Sequence, residues 1–248
     1  LVAFTLLVQL ALGAVALAAM APLRAPGAEA LSLRLLWVAS AALLVASGAS
    51  LLHLGVKAGA LRSLRNLRTS WLSREVLFTG LFTALTLTSA IFATLGTAAG
   101  PDLLWLVTLT GLAAVFTMSR LYQATVRPAW ATGYTPISFF ASALTLGAAL
   151  GAPFVSLTSI SAAQNLLLQD IVLTAATGVT ASLAAAALYA PELSEHRLPL
   201  AARLLLTLGG LGLLTVGWYA AVVPLTLTGA LLLAAGELLA RIRFFTLQ

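Results

Sequence analysis

The sequence predicts an all-α integral membrane protein with eight transmembrane helices. Three observations carry this expectation. First, 61% of the 248 residues are hydrophobic and only 8% are charged, with a mean hydropathy of +1.05. A water-soluble domain needs far more charge to solvate its surface. Second, the apolar residues fall into runs close to the about 20 residues that cross a hydrocarbon core. Third, the runs are separated by stretches rich in turn formers or charge, such as PLRAPGAEA, GTAAGPD and PELSEHRLP.

The first run spans about Leu1 to Ala21, with Gln9 its only strongly polar residue. It opens without methionine, so the natural start of the chain is expected upstream. The second runs from about Leu31 to Leu54 and carries His53 at its end. The loop after it holds Lys57, Arg62, Arg65, Arg68 and Arg74. Leu61, Leu64 and Leu67 alternate with three of those arginines at a spacing of three. The spacing fits a short interfacial helix with snorkelling cations, or a solvated anchor loop.

A third helix is expected over about Glu75 to Thr97, with Ser73 as its N-cap and Glu75 against the positive end of its dipole. The fourth covers about Asp102 to Ala124 and ends in SRLYQAT. The connection VRPAWATGYTP is aromatic enough for the membrane interface. Helices five to eight follow over about Pro136–Thr158, Asn165–Ala190 and Leu200–Ala220, and from Pro224 onward. Ala, Gly, Ser and Thr recur throughout, which lets helix backbones approach closely. The expected arrangement is one transmembrane domain of two four-helix bundles, residues 1–124 and 136–248.

Counting passes puts eleven of the thirteen Lys and Arg residues on one face, here side A. Side A holds the loops after helices two, four and six. By the positive-inside rule it is cytoplasmic, in a prokaryotic inner membrane. The net charge of +6 sits mainly in loops, which points to lipid headgroups or an acidic partner rather than nucleic acid.

Cysteine is absent and the histidines are two, His53 and His196. The chain therefore lacks thiolates for an iron–sulfur cluster, facing histidine pairs for membrane haems, and a metal-ligand cluster. Helix parity gathers His53, Glu75, Arg120, Tyr122, Glu237 and Arg241 in the side-A half. A histidine titrates near neutral pH and a carboxylate at about 4, or higher when desolvated. Together His53 and Glu75 suit proton transfer; equally, His53 suits a boundary position and Glu75 a helix start. Glu237, about 13 residues past Pro224 and so roughly 20 Å from side B, is an intramembrane carboxylate. It suits a functional site or an i,i+4 ion pair with Arg241.

The strings LLHLG at His53, SWLSRE ending at Glu75, SRLY in helix four, WATGYTPISFF and AGELLARIRFF occur in that order. Together they resemble the membrane-anchor subunit of dimethyl sulfoxide reductase, the DmsC family, from the Gln9 segment to the end of the chain. The resemblance implies an anchor that oxidises menaquinol near the histidine and the carboxylate, here His53 and Glu75. Arg62, Arg120, Tyr122 and Glu237 are the further candidate quinol contacts. It also implies a peripheral iron–sulfur subunit with four clusters, expected on the basic-loop side, and a molybdopterin catalytic subunit. The family's usual proline and arginine after the histidine are replaced by VKAGALR, with Arg62 displaced. A related quinone-reducing anchor and a secondary transporter are the alternatives; prolines at helix ends rather than mid-span weigh against transport.

Overall fold

The computed structural model describes residues 1–53, 64–96, 101–157, 161–189 and 197–246. Its helices are α1 Val2–Arg24, α2 Glu29–His53, α3 Trp71–Thr94, α4 Pro101–Gln123, α5 Tyr134–Ser156, α6 Ser161–Leu188, α7 Arg197–Tyr219 and α8 Val223–Thr246. All eight are long and apolar enough to cross a membrane, and no strand occurs among the described residues. Helices suit this solvent because they satisfy their own backbone hydrogen bonds.

Three helix starts differ from the expectation. α3 begins at Trp71, because Ser70 is the N-cap and its hydroxyl accepts from the Ser73 N–H at 3.3 Å. Glu75 therefore lies beyond the first turn, where the helix dipole offers it little, and is buried at 6% exposure. α5 begins at Tyr134, which puts Pro136 inside the first turn, where a missing N–H costs nothing. α6 begins at Ser161 and runs 28 residues, longer than the expected start at Asn165 allowed.

The described part of the basic loop makes one 3-10 turn, Leu64–Asn66. Arg74 folds the loop back, donating to the carbonyls of Leu67 at 2.8 Å and Arg68 at 2.7 Å. Arg62 and the other residues of 54–63 lie outside the described residues, as does His196. Two of the eleven side-A cations, Arg203 and Arg241, are buried in the protein at 2% and 3% exposure. They therefore carry no information about which face is cytoplasmic, because the positive-inside rule concerns loop cations.

Each helix packs against its sequence neighbour, α1 on α2, α3 on α4, α5 on α6 and α7 on α8. Further contacts run between α1 and α4, α2 and α3, α5 and α8, and α1 and α5. At the α1–α5 contact the two backbones approach closely. A Cβ added to Gly13 would lie 2.3 Å from the Ala143 carbonyl oxygen, and one on Gly147 would lie 2.5 Å from the Gly13 Cα. One turn further on, Gly151 faces Leu17. Near side B, Arg24 clamps α1 to α6 with two hydrogen bonds to Asp170, at 2.6 and 2.7 Å.

Gly147→Ala should therefore lower stability by about 1–3 kcal/mol, the usual cost of overpacking. Gly80, with open space around its Cα, provides the control: Gly80→Ala should be neutral or mildly stabilising through helix propensity. Unfolding midpoints of the two purified variants compare them. Equal midpoints would show that the seam tolerates an extra methyl.

Candidate functional site

Near side A, the first four helices leave a cleft of about 180 Å³. That is comparable with the roughly 150 Å³ cavity that accommodates a benzene ring. Its walls come from the start of α1 with Phe4, from Ala49 and Ser50 of α2, from Leu72 and Glu75 of α3, and from Leu121 and Tyr122 of α4. It is an apolar slot with two chemically capable groups, a carboxyl and a phenol. Helical spacing puts position 53 on the same face of α2 as positions 49 and 50, one turn further on.

Glu75 owes its place to the early start of α3. Counted from Trp71, it turns away from solvent and toward α4 and α1. Among the described residues no ion pair or hydrogen bond meets its carboxylate. A carboxyl taken out of water without a fixed partner is costly to a fold, and such groups concentrate at functional sites.

Tyr122 is held by an aromatic cluster. Trp130, Phe139, Phe244 and Phe245 surround its ring at centroid distances of 5.3–5.8 Å. Trp130 stacks on Phe244 at 5.3 Å and donates its indole N–H to the Phe244 carbonyl at 2.7 Å. The two aromatic side chains between α4 and the start of α5 are thus packed inside the protein, Trp130 at 7% and Tyr134 at 5% exposure, while Val126, Arg127 and Pro128 of the same connection are exposed. The four rings around Tyr122 hold it where it borders the cleft.

The other expected site residues lie elsewhere. Arg120 is exposed and bonds Gln123 at 2.9 Å. Its guanidinium and that of Arg74 lie over the Trp71 ring, at 5.3 and 4.3 Å. Glu237 is buried behind the aromatic cluster, where its carboxylate accepts from Ser142 at 2.5 Å. It makes no direct ion pair with Arg241: both residues meet on the Ser142 hydroxyl. Arg203 bonds Ser182 and, at 3.4 Å, Tyr134. Among the described residues, no group of three or more His, Cys, Asp or Glu is placed to hold a metal ion. A larger cleft of about 380 Å³ between α1, α5 and α8 has no ionisable lining. Two others border the Arg24–Asp170 pair and the exposed Glu29, and among these four the Glu75 cleft is the one that sets a buried carboxyl beside a phenol.

The family model for the DMSO reductase anchor subunit (DmsC) matches residues 1–247. The chain belongs to the DmsC family. It is a membrane anchor of a DMSO-reductase-type complex, and the family implies catalytic and iron–sulfur partner subunits. No curated protein and no solved structure matches the chain significantly.

Several residues of this DmsC-family chain were not legible as site components. Ser142 and Phe139 sit in an Ala- and Gly-rich helix, where nothing in the sequence separates them from ordinary packing. Gln9 did carry a signal, being the lone strongly polar residue of its span. Arg241 was legible through its spacing from Glu237, although the expected direct pair did not form.

Proposed function

We propose that the cleft between α1, α2, α3 and α4 is a quinol-oxidation site, and that this anchor feeds a peripheral oxidoreductase from menaquinol. The observation that carries the reading is that Glu75 and Tyr122 line one ring-sized slot whose α2 wall lies a single turn from position 53. Oxidation of a quinol releases two electrons and two protons. His53 accepts the two protons one after the other from the quinol hydroxyls, and Glu75 passes each toward side-A solvent before the next is taken. The Tyr122 hydroxyl donates to the quinone carbonyl that forms.

The electrons leave for another subunit. With no cysteine and only two histidines, this chain carries no iron–sulfur cluster, haem or metal in our reading. They pass to a four-cluster iron–sulfur subunit on the basic-loop side and from it to a molybdopterin subunit. Arg120 and Glu237 do not border the cleft and are left out of the site. The site belongs to the first four-helix unit, residues 1–124, with residues 136–248 forming the second. The membrane is a prokaryotic inner membrane with the basic-loop side cytoplasmic.

Two assays on the same membranes test the site, one driven by a quinol analogue and one by a reduced dye that feeds the peripheral subunits directly. His53→Gln should abolish most quinol-driven turnover, by about 10²-fold or more if a general base is lost, and leave dye-driven turnover intact. Glu75→Gln should lower quinol-driven turnover less, because water replaces a relay more readily than a first acceptor. Full quinol activity in His53→Gln contradicts the proposal. Equal loss of both activities marks the residue as structural.

Docking has its own test. Arg65 and Arg68 are exposed and offer cationic groups suited to an acidic partner; Arg62 is a further cation of the same loop sequence. Replacing all three by Ser should weaken retention of the peripheral subunits, most visibly at low salt. Wild-type retention should itself fall as salt rises, since exposed charges are screened. Undiminished retention by the triple variant would reduce the loop to a lipid anchor.

A further inference from the structure

Behind the aromatic cluster that holds Tyr122, three helices bury four polar side chains together. Gln9 from α1, Ser142 from α5, and Glu237 and Arg241 from α8 are 0–3% exposed. The Arg241 Nη2 group donates to Gln9 Oε1 at 2.8 Å and to Ser142 Oγ at 3.1 Å. Ser142 has one hydrogen to give and two acceptors in reach, the Ser138 carbonyl at 2.8 Å and Glu237 Oε2 at 2.5 Å. A bond to a carboxylate is charge-assisted and the stronger of the two.

This network uses only part of its capacity. Glu237 Oε1, Arg241 Nε and Nη1, and Gln9 Nε2 are buried without a hydrogen-bond partner among the described residues. Buried polar atoms in folded proteins are almost always satisfied, and a carboxylate and a guanidinium least tolerate being left unmet. Glu237 and Arg241 do not close the gap themselves, since no nitrogen of one lies within 4 Å of an oxygen of the other. That separation suits an intervening molecule making two ordinary hydrogen bonds.

The chemistry of the unmet atoms selects the occupant. Arg241 repels a metal or alkali cation, and Glu237 repels chloride or phosphate. An apolar guest would satisfy none of the four atoms. What remains is a small neutral molecule that both donates and accepts. We propose that Gln9, Ser142, Glu237 and Arg241 form an internal hydration site, in which water accepts from the Arg241 guanidinium and donates to Glu237 Oε1. The water completes an ion pair that the protein makes only indirectly, through Ser142. Arg241 also lies 3.9 Å over the Phe139 ring, which packs in turn against Tyr122 at 5.7 Å. The inference does not depend on what the cleft binds.

The test is a map of the intact complex in lipid nanodiscs, at a resolution that shows ordered water. Density within hydrogen-bond distance of both Glu237 Oε1 and the Arg241 guanidinium is expected. Direct contact between the two side chains with nothing between them would overturn the proposal. A paired variant, Glu237→Leu with Arg241→Met, removes both poles together and so leaves no unpaired buried charge. Its map should lack the density, and density persisting there would overturn the proposal by assigning the feature to something other than water held by this pair. The wild-type map decides the question even where the paired variant fails to assemble.

Discussion

The close approach of α1 and α5 at Gly13 and Gly147 is the contact on which the rest of the structure depends. Both helices start at side A and run the same way. Once Gly13 meets Gly147 and Leu17 meets Gly151, their register is fixed over their whole length. One turn toward side A, that register brings Gln9 level with Ser142, where α8 contributes Glu237 and Arg241. Another turn on, it sets the start of α1 beside the cleft and leaves Phe139 between Tyr122 and the buried polar network. Small residues make this possible in lipid, where no hydrophobic force drives helices together and close van der Waals contact must do so instead.

The two halves of the chain meet through side chains as well as backbone. Tyr122 of α4 is enclosed by rings from the α4–α5 connection, from α5 and from α8. A residue on the cleft wall is therefore positioned by the later helices, although the cleft itself lies among the first four. The cations divide in a similar way. Those on the surface near the loop, Arg74 and Arg120, stack on Trp71, while Arg241 and Arg203 are buried against serines and aromatic rings.

Much of this architecture was legible in the sequence because bilayer thickness imposes a length on every apolar run. All eight spans were readable for that reason. Helix starts were less so: Ser70 and Ser73 are equally good caps on paper, and the choice between them decides whether Glu75 sits at a helix end or one turn inside. Glu75 and Tyr122 were legible as side-A groups by parity, but their sharing of one cleft depends on rotation about each helix axis. In spans this uniformly apolar, no polar face reports that rotation. Trp130 looked interfacial because Trp and Tyr usually are. Its burial follows from a carbonyl on α8, more than a hundred residues away, which sequence proximity does not reveal.

The central claim is that the Glu75–Tyr122 cleft is where the quinol binds. The most direct measurement is photo-crosslinking of the intact complex with a quinone analogue carrying a photoreactive ring, followed by mapping of the labelled peptides. The account predicts label on the end of α2 near Ala49 and His53, on α3 near Leu72 and Glu75, and on α4 at Leu121 and Tyr122. That label should be displaced by excess menaquinol. Label confined to α5–α8, with none on those three segments, would contradict it.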